Sequence, residues 1–202
     1  MKRIFSVAIG SVCSALLLTS CASYNAVALS NLSPMVIQSG QVNSDGIVVV
    51  AKAFTKGDCK KYLDRDVIAV GYQPVQLYIQ NNSDKVVVFS PDRVSLPCVS
   101  VEEVAEKVHT STVGRVVAYG VGSLFALPLV IPAVVDGFMS SKANDALNVD
   151  FSGKVASSQT IFPHSHFNKV IFVPSEEYHP SFSVVLIEGD SNQPKEMRVT
   201  VV

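Results

Sequence analysis

His164-Ser165-His166 has the spacing best suited to chemistry in this chain. In an extended segment, residues two apart share a face, so both imidazoles would be offered to one metal ion. His179 is the nearest candidate for a third ligand, but no cysteine or acid is spaced to complete a set. The pair follows Pro163, and two histidines on an exposed turn need no metal, so no metal site is expected. Asp58, Asp64 and Asp66 lack the glycine and terminal glutamate of a calcium loop and read as a solvated loop. The chain has no G-x-S-x-G, P-loop, H-E-x-x-H or dinucleotide fingerprint. No serine or acid stands out as poised, so no catalytic residue and no cofactor is expected.

The elements that would carry these groups are mostly strands. Ile47 to Ala51 is a β-branched run behind Gly46. Val75, Leu77 and Ile79 alternate with Gln76, Tyr78 and Gln80, the period of a half-buried strand. Asn81-Asn82-Ser83-Asp84 is turn chemistry, and Val86 to Phe89 follows, which reads as a hairpin. Val149–Phe151, Lys169 to Val173, Ser181 to Ile187 and Met197 to Val201 read as further short strands separated by prolines and Gly189-Asp190. Seven or so short strands with turn signals argue for a β-sandwich, mainly β in an α+β chain.

Between the two β blocks the period becomes helical. Ser100 and Glu103 fit a capping box, and Val101, Val104 and Val108 follow at helical spacing. A helix from there could run unbroken to Leu127, before Pro128. A second helix is expected from Ala133 to Leu147. The pair reads as an apolar helical hairpin inserted into the sandwich at about residues 100–147, turned by the segment from Pro128 to Pro132. Gly114, Ala118, Gly122 and Ala126 form a small-residue stripe that lets another helix or a sheet approach closely, and they are the candidate interaction residues. Only about 12 apolar residues precede the break, short for a membrane span, so the stripe is read as packing inside the fold. Insertion into a membrane or a partner ring is the alternative.

The chain begins MKRIFSVAIGSVCSALLLTSC, a short basic region and then an apolar stretch too short to span stably. That is a secretory signal peptide, residues 1–20. Its end, Leu18-Thr19-Ser20-Cys21, resembles the lipobox of bacterial lipoproteins. The resemblance implies that Cys21 becomes the acylated first residue of the mature chain. It also implies a lipid anchor in the bacterial outer membrane, with the protein facing the periplasm, since no aspartate follows Cys21. Each buried methylene of an acyl chain contributes about 0.8 kcal/mol, so several chains hold a protein almost permanently. Ile79-x-Asn81-x-Ser83 resembles the I-x-N-x-S corner of Ig-like domains in bacterial lipoproteins, which implies an Ig-like sandwich. Cys13 leaves with the signal peptide, so Cys59 and Cys98 remain. In an oxidising compartment two thiols favour a disulfide, worth roughly 3 to 4 kcal/mol for a loop of about 40 residues. The alternative is two independent buried cysteines.

Residues 21–46 are rich in Ser, Asn and Gln and read as a lipid-bearing tether, with Met35 to Ile37 touching the domain. Residues 47–202 form the folded domain. The signal peptide takes Lys2 and Arg3 but no acid, leaving 14 bases against 17 acids. Such a chain has no electrostatic footprint for nucleic acid and no strongly basic face for anionic lipid. The expectation is a non-enzymatic lipid-anchored envelope protein with a structural or assembly role. Its partners would be the membrane, through Cys21, and other envelope proteins. Two alternatives stand beside it. One is an accessory subunit of a trans-envelope assembly, with the hairpin in a membrane or ring. The other is a periplasmic binding protein for an apolar ligand.

Overall fold

The structure, a computed structural model, describes residues 23–40, 42–110 and 130–202. The chain divides into two compact units, residues 1–25 with 109–148 and residues 26–108 with 149–202. The second unit is mostly β. One antiparallel sheet has the order β1 (Val42–Ser44), β2 (Ile47–Ala53), β3 (Tyr72–Asn81), β6 (Ser165–Pro174). The other has the order β5 (Gln159–Ile161), β4 (Val87–Phe89), β7 (Ser181–Glu188), β8 (Pro194–Thr200).

Alternation along the strands builds one core shared by both sheets. Val75, Leu77 and Ile79 of β3 enter it with Ile47, Val49 and Ala51 of β2, and Val184, Leu186, Met197 and Val199 enter from the other sheet. Phe89 of β4 and Phe167 of β6, both buried, bring their ring centroids to 4.7 Å across the two sheets. Burying each such side chain contributes roughly 1.5 to 3 kcal/mol.

The strand predicted before the Asn-rich turn and the one after it do not pair with each other. β3 pairs with β2 and β6, whereas β4 pairs with β5 and β7. The turn is a crossing from one sheet to the other, and Asn81 is its fastener. The Asn81 side chain is fully buried and donates to the carbonyls of Lys85 (2.7 Å), Ile161 (3.2 Å) and Phe162 (3.1 Å). Its Oδ1 accepts from the Ser83 amide at 3.1 Å and the Ser83 hydroxyl at 2.6 Å. Ile161 and Phe162 lie where β5 hands over to β6, which is also a change of sheet. One amide therefore pins two sheet crossings, and a hairpin is not formed because those bonds direct the chain across the core.

Two further expectations are corrected. The segment read as a tether is docked from Val27 onward, and it carries α1 (Pro34–Gly40) and strand β1. Asp45-Gly46, with φ of 50° and 80°, turns β1 into β2. Positive φ at both central residues is the I′ geometry that Asp-Gly favours in two-residue hairpins. Val149–Phe151 is not a strand. It lies inside α4 (Val130–Lys154), with Phe151 fully buried and its ring centroid 5.7 Å from that of Phe172.

The remaining helices are α2 (Lys56–Tyr62) and α3 (Val101–Val108). The helix expected to run unbroken from residue 100 ends at Val108. In the first unit, the Asn144 side chain accepts from the Thr110 amide at 2.9 Å and donates to the Thr110 carbonyl at 3.2 Å, taking the bonds a continued helix would need. α4 begins earlier than expected, at Val130, with Pro132 in its first turn, where a missing amide is tolerated. Residues 111–129, which hold the stripe Gly114, Ala118, Gly122 and Ala126, lie outside the described residues. No helix among the described residues is long and apolar enough to cross a membrane.

Candidate functional site

The outer face of the first sheet is covered by the chain's own N-terminal arm. Val48 and Val50 of β2 and Tyr78 of β3 point away from the shared core and bury against Leu32, with Val36 and Ile37 of α1 alongside. This explains why Ile47 to Ala51 is apolar without alternation: both of its faces are covered. Gln76, polar and expected on the wet side of β3, is buried. Its amide donates to the Ser30 carbonyl at 2.9 Å and to Asn168 Oδ1 at 2.7 Å. Asn168 in turn donates to Asn31 Oδ1 at 2.9 Å. Asn168 also donates to the Ser30 carbonyl at 3.3 Å, so two side-chain amides meet the polar backbone of an arm lying across a sheet.

The arm joins the domain at the C-terminal end of α2. The Val27 amide donates to the Lys61 carbonyl at 2.9 Å, and the Ser30 and Tyr62 hydroxyls are 2.7 Å apart. Lys154, at the end of α4 and almost entirely buried, closes the junction. Its ammonium donates to the carbonyls of Val27 (2.8 Å) and Tyr62 (2.7 Å) and lies 2.6 Å from Asp150 Oδ2. A buried ammonium requires this full set of acceptors.

α2 is a short, strongly basic helix, KGDCKKY. Thr55 caps it, accepting from the Asp58 amide, while the Asp58 carboxylate accepts from the Thr55 amide at 3.0 Å. Burial pushes the Asp58 carboxyl up, but the Thr55 amide and hydroxyl and the Lys52 ammonium outweigh it and hold the group below its usual range. Lys56, Lys60 and Lys61 are exposed. Lys60 pairs with Asp64, and Lys61 donates to the Tyr62 hydroxyl at 3.0 Å with its ammonium 4.6 Å from the ring centroid.

A second feature is an open cleft of about 440 Å³ beside α3, lined by Gly71, Tyr72, Glu103, Lys107, Glu176 and Glu177. The Tyr72 hydroxyl donates to Glu103 Oε1 at 2.5 Å and accepts from Lys107. The hydrogen bond to Tyr72 raises the Lys107 ammonium's pKa, so it stays protonated and is no nucleophile at neutral pH. Glu103 thus spends its carboxylate on Tyr72 and forms only half of the expected capping box, its amide donating to Ser100 Oγ at 3.2 Å. The cleft offers bridged polar groups for binding.

No family model, no curated protein and no solved structure matches the chain.

The structure separates the residues that sequence reasoning singled out. His164 sits in a turn with φ of 56° and reaches Asp84 at 3.2 Å, while the His166 ring stacks on Tyr78 at 5.8 Å. Among the described residues no three His, Cys, Asp or Glu side chains gather as metal ligands. Of the three aspartates Asp58 lies on α2 and caps it, while Asp64 and the exposed Asp66 lie in the loop that follows, Asp64 pairing with Lys60 and Arg65 and Asp66 accepting from the Ala69 amide at 3.0 Å. Residues 1–20, expected to be a signal peptide, and Cys21 lie outside the described residues. Two signals for the parts missed were present in the sequence: Asp45-Gly46 for the first hairpin, and Thr55-x-x-Asp58 for α2.

Cys59 and Cys98 both carry free thiols in this structure. Cys59 is fully buried on α2, whereas Cys98 packs against the core between the sheets, its thiol 3.7 Å from the Leu96 carbonyl. Burial pushes both thiols up to about 11. Alkylation of Cys98 in the native protein should therefore keep rising with pH until about 11, well past the level of an ordinary thiol. Peptide mapping of protein denatured without reductant should find label on both cysteines. A Cys59–Cys98 linked peptide would overturn this expectation.

Proposed function

We propose that the protein is a non-enzymatic, lipid-anchored component of a bacterial cell envelope, held in the outer membrane by acyl chains on Cys21 and serving a structural or assembly role through contacts with other envelope proteins. The observation that carries the reading is Leu18-Thr19-Ser20-Cys21 directly behind a basic and apolar leader. The immediate docking of the arm behind it supports the same reading: an anchored domain that sits on its leash is a fixed platform. The corner built on Asn81 supports an Ig-like β-sandwich, and the inserted hairpin at about residues 100–147 is part of the proposal.

Cys21→Ala should abolish incorporation of radiolabelled palmitate and leave an unprocessed or mislocalised chain. Persisting label in that variant would sink the assignment. Crosslinking in intact membranes, followed by capture, should retrieve envelope proteins. Release of a co-purifying apolar small molecule in native mass spectrometry would instead favour the ligand-binding alternative.

A further inference from the structure

The leash between lipid and domain is short, and it ends on a basic helix. Val27, whose amide is bound to the Lys61 carbonyl, comes six residues after Cys21. Six residues reach at most about 20 Å when fully extended. The last turn of α2 therefore cannot lie far from the headgroups that hold the acyl chains. That turn carries Lys60 and Lys61, and Lys56 lies one turn earlier, all three exposed. From Lys52 to Asp66 the chain holds five bases and three acids. The acids have local partners, Asp58 the Thr55 cap and Lys52, Asp64 Lys60 and Arg65, and the exposed Asp66 the Ala69 amide, and the segment keeps two positive charges in excess. The net charge of the whole chain is slightly negative and hides this patch.

We infer that the lysine face of α2 is a membrane-docking surface that rests on anionic lipid headgroups, orienting the domain on the bilayer. The inference depends on the lipid anchor proposed above. Surface potential decays over about 8 Å at physiological ionic strength, so an untethered patch of this size would rarely be held. The short leash removes that difficulty by keeping α2 within reach, and a few lysines then decide which side faces down. Each lysine near an anionic surface shifts the balance of docked to undocked forms about fivefold.

The test uses the full lipidated protein in two kinds of vesicle, phosphatidylcholine alone and phosphatidylcholine mixed with phosphatidylglycerol. Exposed amines are acylated briefly, and each lysine's labelling rate is read by mass spectrometry. Lys85 is the internal reference, since it follows Asn81 at the opposite end of β3 from the Ala53–Val75 pairing that leads into α2. Lys56, Lys60 and Lys61 should be labelled at least about fivefold more slowly on the anionic vesicles, and Lys85 equally on both. High salt should erase the difference. The mass of the N-terminal peptide is read in the same sample. An acylated Cys21 with equal labelling of the three lysines on both vesicles would overturn the docking surface and leave the anchor standing. A Cys21 without acyl mass would overturn the anchor, and the docking surface with it.

Discussion

Asn81→Ala is expected to destabilise the β unit by roughly 3 kcal/mol, the largest single-residue effect anticipated outside the apolar core. The substitution deletes one amide group whose two N–H donors are shared among the carbonyls of Lys85, Ile161 and Phe162, and whose oxygen accepts from the amide and hydroxyl of Ser83. Leaving a buried acceptor without a donor costs about 1 to 3 kcal/mol. The Asn81–Ile161 bond is buried, while the Lys85 and Phe162 bonds lie partly open to water and would recover some of the loss. That sets the estimate well below three full penalties. Asn81→Asp should be worse, because an ionised carboxylate accepts only and would face three carbonyls. Ser83→Ala, which removes one hydroxyl, should cost about 1 kcal/mol. Urea unfolding monitored by circular dichroism gives the midpoints. Equal midpoints for wild type and Asn81→Ala would show that the two sheet crossings are held by something else.

Lys154→Met should cost roughly 3 kcal/mol and loosen the N-terminal arm. Methionine keeps most of the apolar stem but removes the donors that join Val27, Tyr62 and Asp150. The two carbonyls then lie at the junction of arm and helix without their donor. Two readouts separate this role from general packing. Protease cleavage between residues 23 and 33 should accelerate at temperatures where the sheets remain folded, and the unfolding midpoint should fall. If the midpoint falls while the arm stays protected, Lys154 supports α4 and does not fasten the arm. Asp150→Asn should have the smaller effect, since the lysine keeps both carbonyls.

Both residues show how differently sequence and structure speak about this protein. Asn81 was visible as a turn residue, and the strands on either side were visible from their periods. Its partners were not, because Ile161 lies 80 positions away and nothing in a turn motif says which sheet the next strand will join. A hairpin and a sheet crossing have the same local chemistry. Lys154 was not visible at all. A lysine near the end of a polar stretch reads as solvated, and only the convergence of α2, α4 and the arm buries it.

The two-residue period in β3 and β8 determined, from sequence alone, that the chain would build sheets; β8 keeps one buried face, whereas the arm also buries the second face of β3. The β-branched run in β2 announced a strand, but its second buried face depended on an arm that looked like a tether, since Ser, Asn and Gln can pair with a strand's amides as readily as with water. Val149–Phe151 was misread for the same kind of reason: three residues fit a strand or a helix equally, and the packing of Phe151 on Phe172 favoured the helix. The cysteines were countable in the sequence, but their burial was a matter of where two distant segments pack. Local patterns determine local geometry because they act through neighbouring backbone and side chains. The pairing of sheets and the burial of Lys154 and Gln76 were decided by contacts between segments far apart in the chain, which no local pattern encodes.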